Sequence, residues 1–323
     1  MFRFFDKAAY DFLRVRKYAY AVTAVIAVAG LTDLAFRGLN ESIEFTGGAL
    51  LQIHVTDPAI TIGRIRGALA ANGITGIELN TFGSESDFEL RAPITTEAGQ
   101  DVGVQETARN VDSTLASAFG AGSYTISQGQ AISPKVGGEL RTKAMFAILL
   151  SFGATLIYLT FRFEWRFAIA AIAATAHDII VTISFLALMN LEVSLVVVAA
   201  VLTIVGYSMN DTIIVFDRVR ENLRKYKRGQ IYDILNLSVN EVLPRTVLTG
   251  GTTLAAVLAL LIFGGPVIKS FAWVMTFGIV VGTFSSWFIA SPVLLWIERR
   301  WPGEDVHGTR ALAPAARGAP QAS

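Results

Sequence analysis

The chain has 323 residues, 53% hydrophobic and 16% charged, with a formal net charge of +1 and a mean hydropathy of +0.51. Soluble domains carry about a quarter charged residues, so this deficit points to a membrane protein. Cysteine is absent, which excludes disulfides, thiolate metal sites and cysteine nucleophiles.

A basic leader with Arg3, Lys7, Arg14, Arg16 and Lys17 precedes the apolar run Tyr18–Phe36. That run is too long for the apolar part of a cleavable signal and has no small-x-small cleavage site. It reads as a retained first membrane helix after a cytoplasmic N-terminus, residues 1–17. Residues 37–139 have a different texture, with more acids than bases. Ile43–Val55 reads as a strand interrupted at Gly47-Gly48, Pro58–Ala71 as an amphipathic helix closed by Asn72-Gly73, and Thr75–Thr81 and Asp87–Arg91 as strands. Thr95–Phe119 reads as mostly helical and Ser123–Gln130 as a last strand. The order β-α-β-β-α-β predicts a ferredoxin-like α+β domain.

Five more apolar stretches follow in residues 140–298: Ala144–Phe161, Phe167–Met189, Val193–Phe216, Val247–Ile268 and Phe271–Ile297. Each meets the requirement of about 17–25 apolar residues for a spanning helix. The fold class is thus six transmembrane α-helices with the α+β domain between helices 1 and 2. Basic residues crowd the leader and the connection Arg218–Arg228, whereas the opposite side carries only Lys269. Both termini are therefore expected in the cytoplasm and the α+β domain outside it. The tail, residues 299–323, is rich in Ala, Pro and Gly from Gly308 and reads as disordered.

Asp211 interrupts the apolar run that starts at Val193. A carboxylate at such depth costs about 2.5–3.5 kcal/mol on insertion scales and usually marks an ion or proton path. Tyr207 and Ser208 share its helix face, while Asn210 points about 100° away and suits packing. Arg245 stands at the mouth of the next run and is expected to approach Asp211 in depth; Thr249, with Thr252 and Thr253, continues its face as a stripe suited to a water chain. A plain interfacial anchor is the alternative for Arg245. His177 and Asp178 sit mid-span. Histidine suits proton transfer, yet adjacent helical positions diverge, and one polar contact to a neighbouring helix explains the pair as well. Gly278, Gly282, Ser286 and Ala290 form a small-residue seam for helix packing, within the chain or against a partner.

Gly47-Gly48 is not a phosphate loop, because no Walker Lys-Ser/Thr follows. Neither a nucleotide motif nor a zinc signature occurs, so no cofactor or metal is expected. Nucleic acid is not an expected partner, because positive-inside placement already accounts for the basic run; that run suits anionic membrane lipid.

Several motifs carry a resemblance: Glu44-Phe-Thr-Gly-Gly48, Ser133-Pro-Lys-Val-Gly137, Phe161-Arg-Phe-Glu-Trp-Arg166, Ala176-His-Asp178, Tyr207 to Asn222, Leu243-Pro-Arg-Thr246 and Phe263-Gly-Gly-Pro266. In this order and spacing the chain resembles the SecF branch of the SecD/SecF family of bacterial protein-export membrane proteins. It departs at Glu44, where the family often has Asp, and at Met209, where Leu is usual. The resemblance implies a relative of the resistance-nodulation-division (RND) transporters in the bacterial inner membrane. It implies pairing with SecD, association with the SecYEG channel, and YajC and YidC as further partners. It further implies use of the proton-motive force to complete preprotein translocation after the ATP-dependent SecA step, without ATP hydrolysis by this chain. The acid at Asp211 is then implicated in proton conduction, with Arg245 beside it. Two rivals are a small-molecule or lipid transporter of the same superfamily, which usually holds two six-span halves in one chain, and a scaffold that needs no acid at Asp211.

Overall fold

The computed structural model describes residues 9–74, 77–84, 86–92, 100–127, 131–132, 134–162, 164–226 and 229–301. The leader residues Arg3 and Lys7, the strand start at Thr75, the helix start at Thr95, Ser133, Phe163, the loop cations Lys227 and Arg228 and the tail beyond Trp301 lie outside the described residues.

Among the described residues, six helices are long and apolar enough to cross a membrane. α1 spans Phe12–Arg37. A short helix, α2 (Ile43–Thr46), then leads into the extramembrane sheet, formed by β1 (Gly48–Val55), β2 (Glu78–Thr81), β3 (Asp87–Ala92), β4 (Tyr124–Ser127) and β5 (Ala131–Ile132). α3 (Ile62–Ala71) and α4 (Gln100–Phe119) cover this sheet. The remaining spans are α5 (Pro134–Arg162), α6 (Trp165–Leu188), α7 (Leu195–Lys225), α8 (Ile231–Phe263) and α9 (Gly265–Ser285), the last continued by a π-helical turn, Ser286–Ala290, into α10 (Ser291–Arg300).

In the sheet the order is β2-β3-β1-β4, with β5 also on β1, and every pairing is antiparallel. Alternation along β1 turns Ala49, Leu51, Ile53 and Val55 inward, where they meet Phe88 and Leu90 of β3 and Ile65, Leu69, Val111 and Leu115 of the two helices. This period-2 pattern is what a sheet packed on one face demands.

Several element ends differ from the sequence expectation. The strand expected over Ile43–Val55 begins only at Gly48, because Ser42 caps α2 and Gly47 and Gly48 take φ of 75° and 143°, the region that glycine enters at little cost. α5 begins at Pro134 rather than near Ala144, and a Cβ on Gly137 would lie 2.7 Å from the Phe45 carbonyl oxygen, so its first turn sits against α2. The expected loop between the fourth and fifth spans is largely helical: α7 runs on to Lys225 and α8 starts at Ile231. Arg218 bonds Glu241 and Glu221 at 2.6 Å each, and Asn222 bonds Ser238 at 3.0 Å and Glu241 at 2.6 Å. These contacts hold the two helical extensions together beyond the apolar spans.

Two apolar clusters fill the bundle. One gathers Ala174, Met209, Phe216, Leu243 and Trp287; the other gathers Leu186, Ile204, Val257, Met275 and Ile279. α6, α7, α8 and the α9–π-turn segment each pass from one cluster to the other. Polar side chains occupy the crossing.

Candidate functional site

The crossing is a buried polar layer built on two carboxylates. On α7, Asp211 is 7% exposed. Thr246 Oγ1 of α8 donates to its Oδ1 and Ser286 Oγ of the π turn to its Oδ2, both at 2.8 Å. On α6, Asp178 is 1% exposed. Ser208 of α7 and Ser285 of α9 donate to its Oδ2 at 2.5 and 2.7 Å, and His177 Nδ1 lies 2.9 Å from its Oδ1. Among the described residues His177 Nε2 is buried without a hydrogen-bond partner.

Four hydroxyls therefore serve two acids, and consecutive residues of one helix serve different acids. Adjacent helical positions differ by about 100°, so Ser285 turns to α6 while Ser286 turns to α7. The π turn begins at Ser286, and such turns favour functional sites because they add a residue to the helical repeat. The Thr283 carbonyl lies 2.8 Å from Ser286 Oγ and that of Gly282 3.0 Å from Ser285 Oγ, so each single O–H is shared between the acid and its own helix.

Glycine permits this approach. A Cβ on Gly282 would lie 2.9 Å from Ser208 Cβ, and one on Gly278 would overlap the Ile204 side chain. The seam of Gly278, Gly282 and Ser286 thus faces α7 of the same chain, and Ser286 is a ligand of the acid as well as a packing residue. At Gly250 a Cβ would sit 3.4 Å from both the Tyr207 and Thr283 hydroxyls. Tyr207 accordingly faces α8 and α9 rather than Asp211.

Several expectations change in this geometry. Ser208 serves Asp178, not Asp211. Arg245 is exposed and does not pair with Asp211; the neighbouring Thr246, buried at 2%, makes the contact. Arg245 also stands well inside α8, directly after Pro244, rather than at a helix mouth. Thr249 is exposed too, its carbonyl accepting from Thr252 and Thr253 at 3.0 and 2.9 Å. His177 and Asp178 do meet, since the ring folds back onto the carboxylate while Asp178 reaches two other helices. Asn210 is exposed on the outer face of α7. Thr246 and Ser285 escaped the sequence reading, although Ser285-Ser286, a hydroxyl doublet in an otherwise apolar run, is a visible signal.

A charged junction ties the start of α7, the helix that carries Asp211, to the sheet domain. Asn190 ends α6 with φ 46°, the left-handed conformation that asparagine tolerates. The connection it opens is clamped from above: Val193 N donates to Asn40 O at 2.8 Å and Ser42 N to Val193 O at 2.9 Å. Arg91 of β3 pairs with Glu192 and, at 3.1 Å, with Glu89. Glu44 Oε2 accepts from Leu195 N, the first residue of α7, at 2.5 Å. Burial disfavours the Arg91 charge, but Glu192 and Glu89 outweigh it and hold its pKa above the usual arginine value. At the far end of the bundle Arg166, buried at 7%, pairs with Glu298, buried at 3%, and with Glu164. Arg166 is thus an internal tie.

Two family models match: the C-terminal region of the protein export membrane proteins SecD/SecF over residues 112–300, and the SecD/SecF GG motif over residues 34–59. The chain is 47% identical to the protein translocase subunit SecF of Gemmatimonas aurantiaca, over 99% of this chain and 96% of that one. It is 40% identical to that of Desulfurispirillum indicum, over 90% and 92%. The crystal structure of SecDF from Thermus thermophilus, described as a translocon-associated membrane protein, superposes with a TM-score of 0.78 at 32% identity over 91% of this chain. This chain spans only 39% of that longer one. On the strength of these matches, the chain belongs to the SecD/SecF family of protein-export membrane proteins and is a multi-pass member of it.

Proposed function

We propose that the chain acts as the SecF subunit of the protein translocase, pairing with SecD and using the proton-motive force to drive preproteins through the SecYEG channel after the SecA step. The observation that carries this reading is Asp211: a buried carboxylate whose two oxygens are held by hydroxyls rather than by a cation. A hydroxyl is both donor and acceptor. It can turn to serve the acid in either protonation state, as a carboxyl that takes up and releases a proton requires. One proton crossing 100 mV supplies about 2.3 kcal/mol, roughly fortyfold in an equilibrium constant. That suits repeated small strokes rather than ATP-scale unfolding, and no ATP hydrolysis by this chain is part of the reading.

The other parts of the proposal have their own support. The basic side chains Arg14, Arg16, Lys17, Arg224, Lys225, Arg299 and Arg300 cluster at the helix ends remote from the sheet, which favours cytoplasmic termini in the inner membrane and an extracytoplasmic sheet domain. The strand order β2-β3-β1-β4 with one helix in each crossover favours a ferredoxin-like reading of that domain. Exposed positions on α7 and α8, among them Gly206, Asn210, Arg245, Thr249 and Gly251, offer SecD a face of small and polar residues, and a relay role for Arg245 and Thr249 would be completed there. YajC and YidC would join through the assembled complex, in an RND-like arrangement of two six-span halves.

The test is late-stage translocation into membrane vesicles with and without an imposed proton gradient. Asp211→Asn should insert, fold and bind SecD as the parent does, yet lose the gradient-dependent stimulation altogether. A variant that still responds to the gradient as the parent does would falsify the proton-carrying role and leave the scaffold reading.

A further inference from the structure

A groove between the start of α1 and the end of α10 plays no part in the polar layer. It encloses about 440 Å³ and is lined by Arg16 and Tyr20 of α1 and by Pro292, Val293, Trp296 and Arg299 of α10, among others. Among the described residues no acid lines it; Glu298, beside it on α10, is turned inward and taken up by Arg166.

Both helices reach the surface of the bundle here, so position along them converts to depth at about 1.5 Å per residue. Arg16 and Arg299 stand at the mouth. Tyr20 lies about 6 Å deeper than Arg16, and Trp296 about 4.5 Å deeper than Arg299. Val293 and Pro292 follow at about 9 and 10.5 Å. Cation, aromatic ring and aliphatic wall thus succeed one another from water toward the membrane interior. Trp296 is 62% exposed, a large apolar cost in water that disappears at the headgroup level, where tryptophan and tyrosine settle. Arg16 Nη1 donates to the Leu13 carbonyl at 2.6 Å, which fixes the side chain and leaves the rest of its guanidinium donors for another acceptor.

We propose that this groove is a binding site for one anionic phospholipid of the leaflet at the α1 N-terminal end. The two guanidinium groups take the phosphate, in the forked geometry that arginine shares with phosphate oxygens. Tyr20 and Trp296 sit at the glycerol and carbonyl level, and Val293 and Pro292 line the upper acyl chain. The site is separate from the basic run at the α7–α8 turn and independent of the proton reading.

Native mass spectrometry of the full chain, stripped of lipid in detergent and titrated with phosphatidylglycerol or with phosphatidylcholine of the same acyl chains, tests this. Two interfacial cations predict a preference of about thirtyfold for the anionic lipid. R16Q/R299Q should abolish the preference, R16K/R299K should keep most of it, and R224Q, in the basic run, should leave it intact. If R16Q/R299Q does not fold, R299E alone should show the same loss, since that side chain is exposed. Equal binding of the two lipids overturns the proposal, as does a preference that survives R16Q/R299Q or R299E. Displacement of the lipid by inorganic phosphate at millimolar concentration would instead assign a free-phosphate site and overturn the lipid one.

Discussion

The two polar regions that bracket the first half of α7 solve opposite problems. At the junction with the sheet, charge is set against charge: Arg91 lies between Glu89 and Glu192. In the middle of the bundle, Asp211 is set against two hydroxyls, and Asp178 against two hydroxyls and the His177 ring. A buried ion pair tolerates only one charge state, because losing either partner strands the other. A carboxyl ringed by hydroxyls tolerates two. The contrast separates a part that must hold its shape from a part that, on the proposed function, changes its charge.

Arg91→Ala is the largest way to test that contrast. Its side chain is only 10% exposed, so its removal leaves Glu89 and Glu192 facing each other and should destabilise the junction by about 3–5 kcal/mol. Hydrogen exchange of β3 and of the α6–α7 connection in the full chain should accelerate by roughly two orders of magnitude or more; unchanged protection would show that the pair is not structural. Thr246→Val and Ser286→Ala each remove one of the two donors to Asp211 and should cost about 1–3 kcal/mol when that acid is ionised. The gradient response should weaken in both without being lost. If it is untouched in both, the hydroxyls are bystanders.

Smaller effects sharpen the picture. Glu44→Gln keeps an acceptor for Leu195 N but loses the charge at the positive end of α7, so a loss of about 0.5–1 kcal/mol is expected, read as faster exchange in the first turn of α7 alone. The least is expected of Asp87, an exposed group. The Ser84 hydroxyl, and next His54, hold its carboxyl below the usual aspartate pKa. Its contribution is therefore present above about pH 4, where the unfolded carboxyl is also ionised, and fades as pH falls toward the lowered folded value. Asp87→Asn should flatten that acid decline in β3 protection and lower the protection slightly at neutral pH, where the contribution of the ionised group is lost.

Much of the architecture is legible in the residues, because apolar runs and period-2 alternation report directly on burial. The acid at Asp211 is legible for the same reason. What surrounds it is not. Spacing along one helix says which residues share a face, but not how that face is rotated toward another helix. One position, about 100° of rotation, separates exposed Arg245 from buried Thr246, and the charge of the first drew attention from the hydroxyl of the second. The π turn adds a further offset that a 3.6 repeat cannot anticipate, which is why Ser286 read as seam rather than ligand. Helix ends are hidden where polar residues continue a helix beyond the membrane, as with Asn222 and Ser238. The junction joins Glu44, Arg91 and Glu192 across more than a hundred residues of chain, and no local pattern announces it.

The N-terminal end of α1 is closed by residues made much later. Asn240 bonds both the N–H and the carbonyl of Tyr10, at 2.9 and 2.8 Å, and Asn236 accepts from Leu13 N at 3.2 Å. Asp11 accepts from Tyr232 at 2.6 Å and from Asn236 at 2.9 Å. At ribosomal speeds of about 5–20 residues per second, the gap of roughly 225 residues amounts to about ten to forty-five seconds. Throughout that interval the first turn of α1 has only water for these bonds, so it must wait at the membrane surface rather than inside it. The first turn of α1 is therefore locked only once α8 has been made.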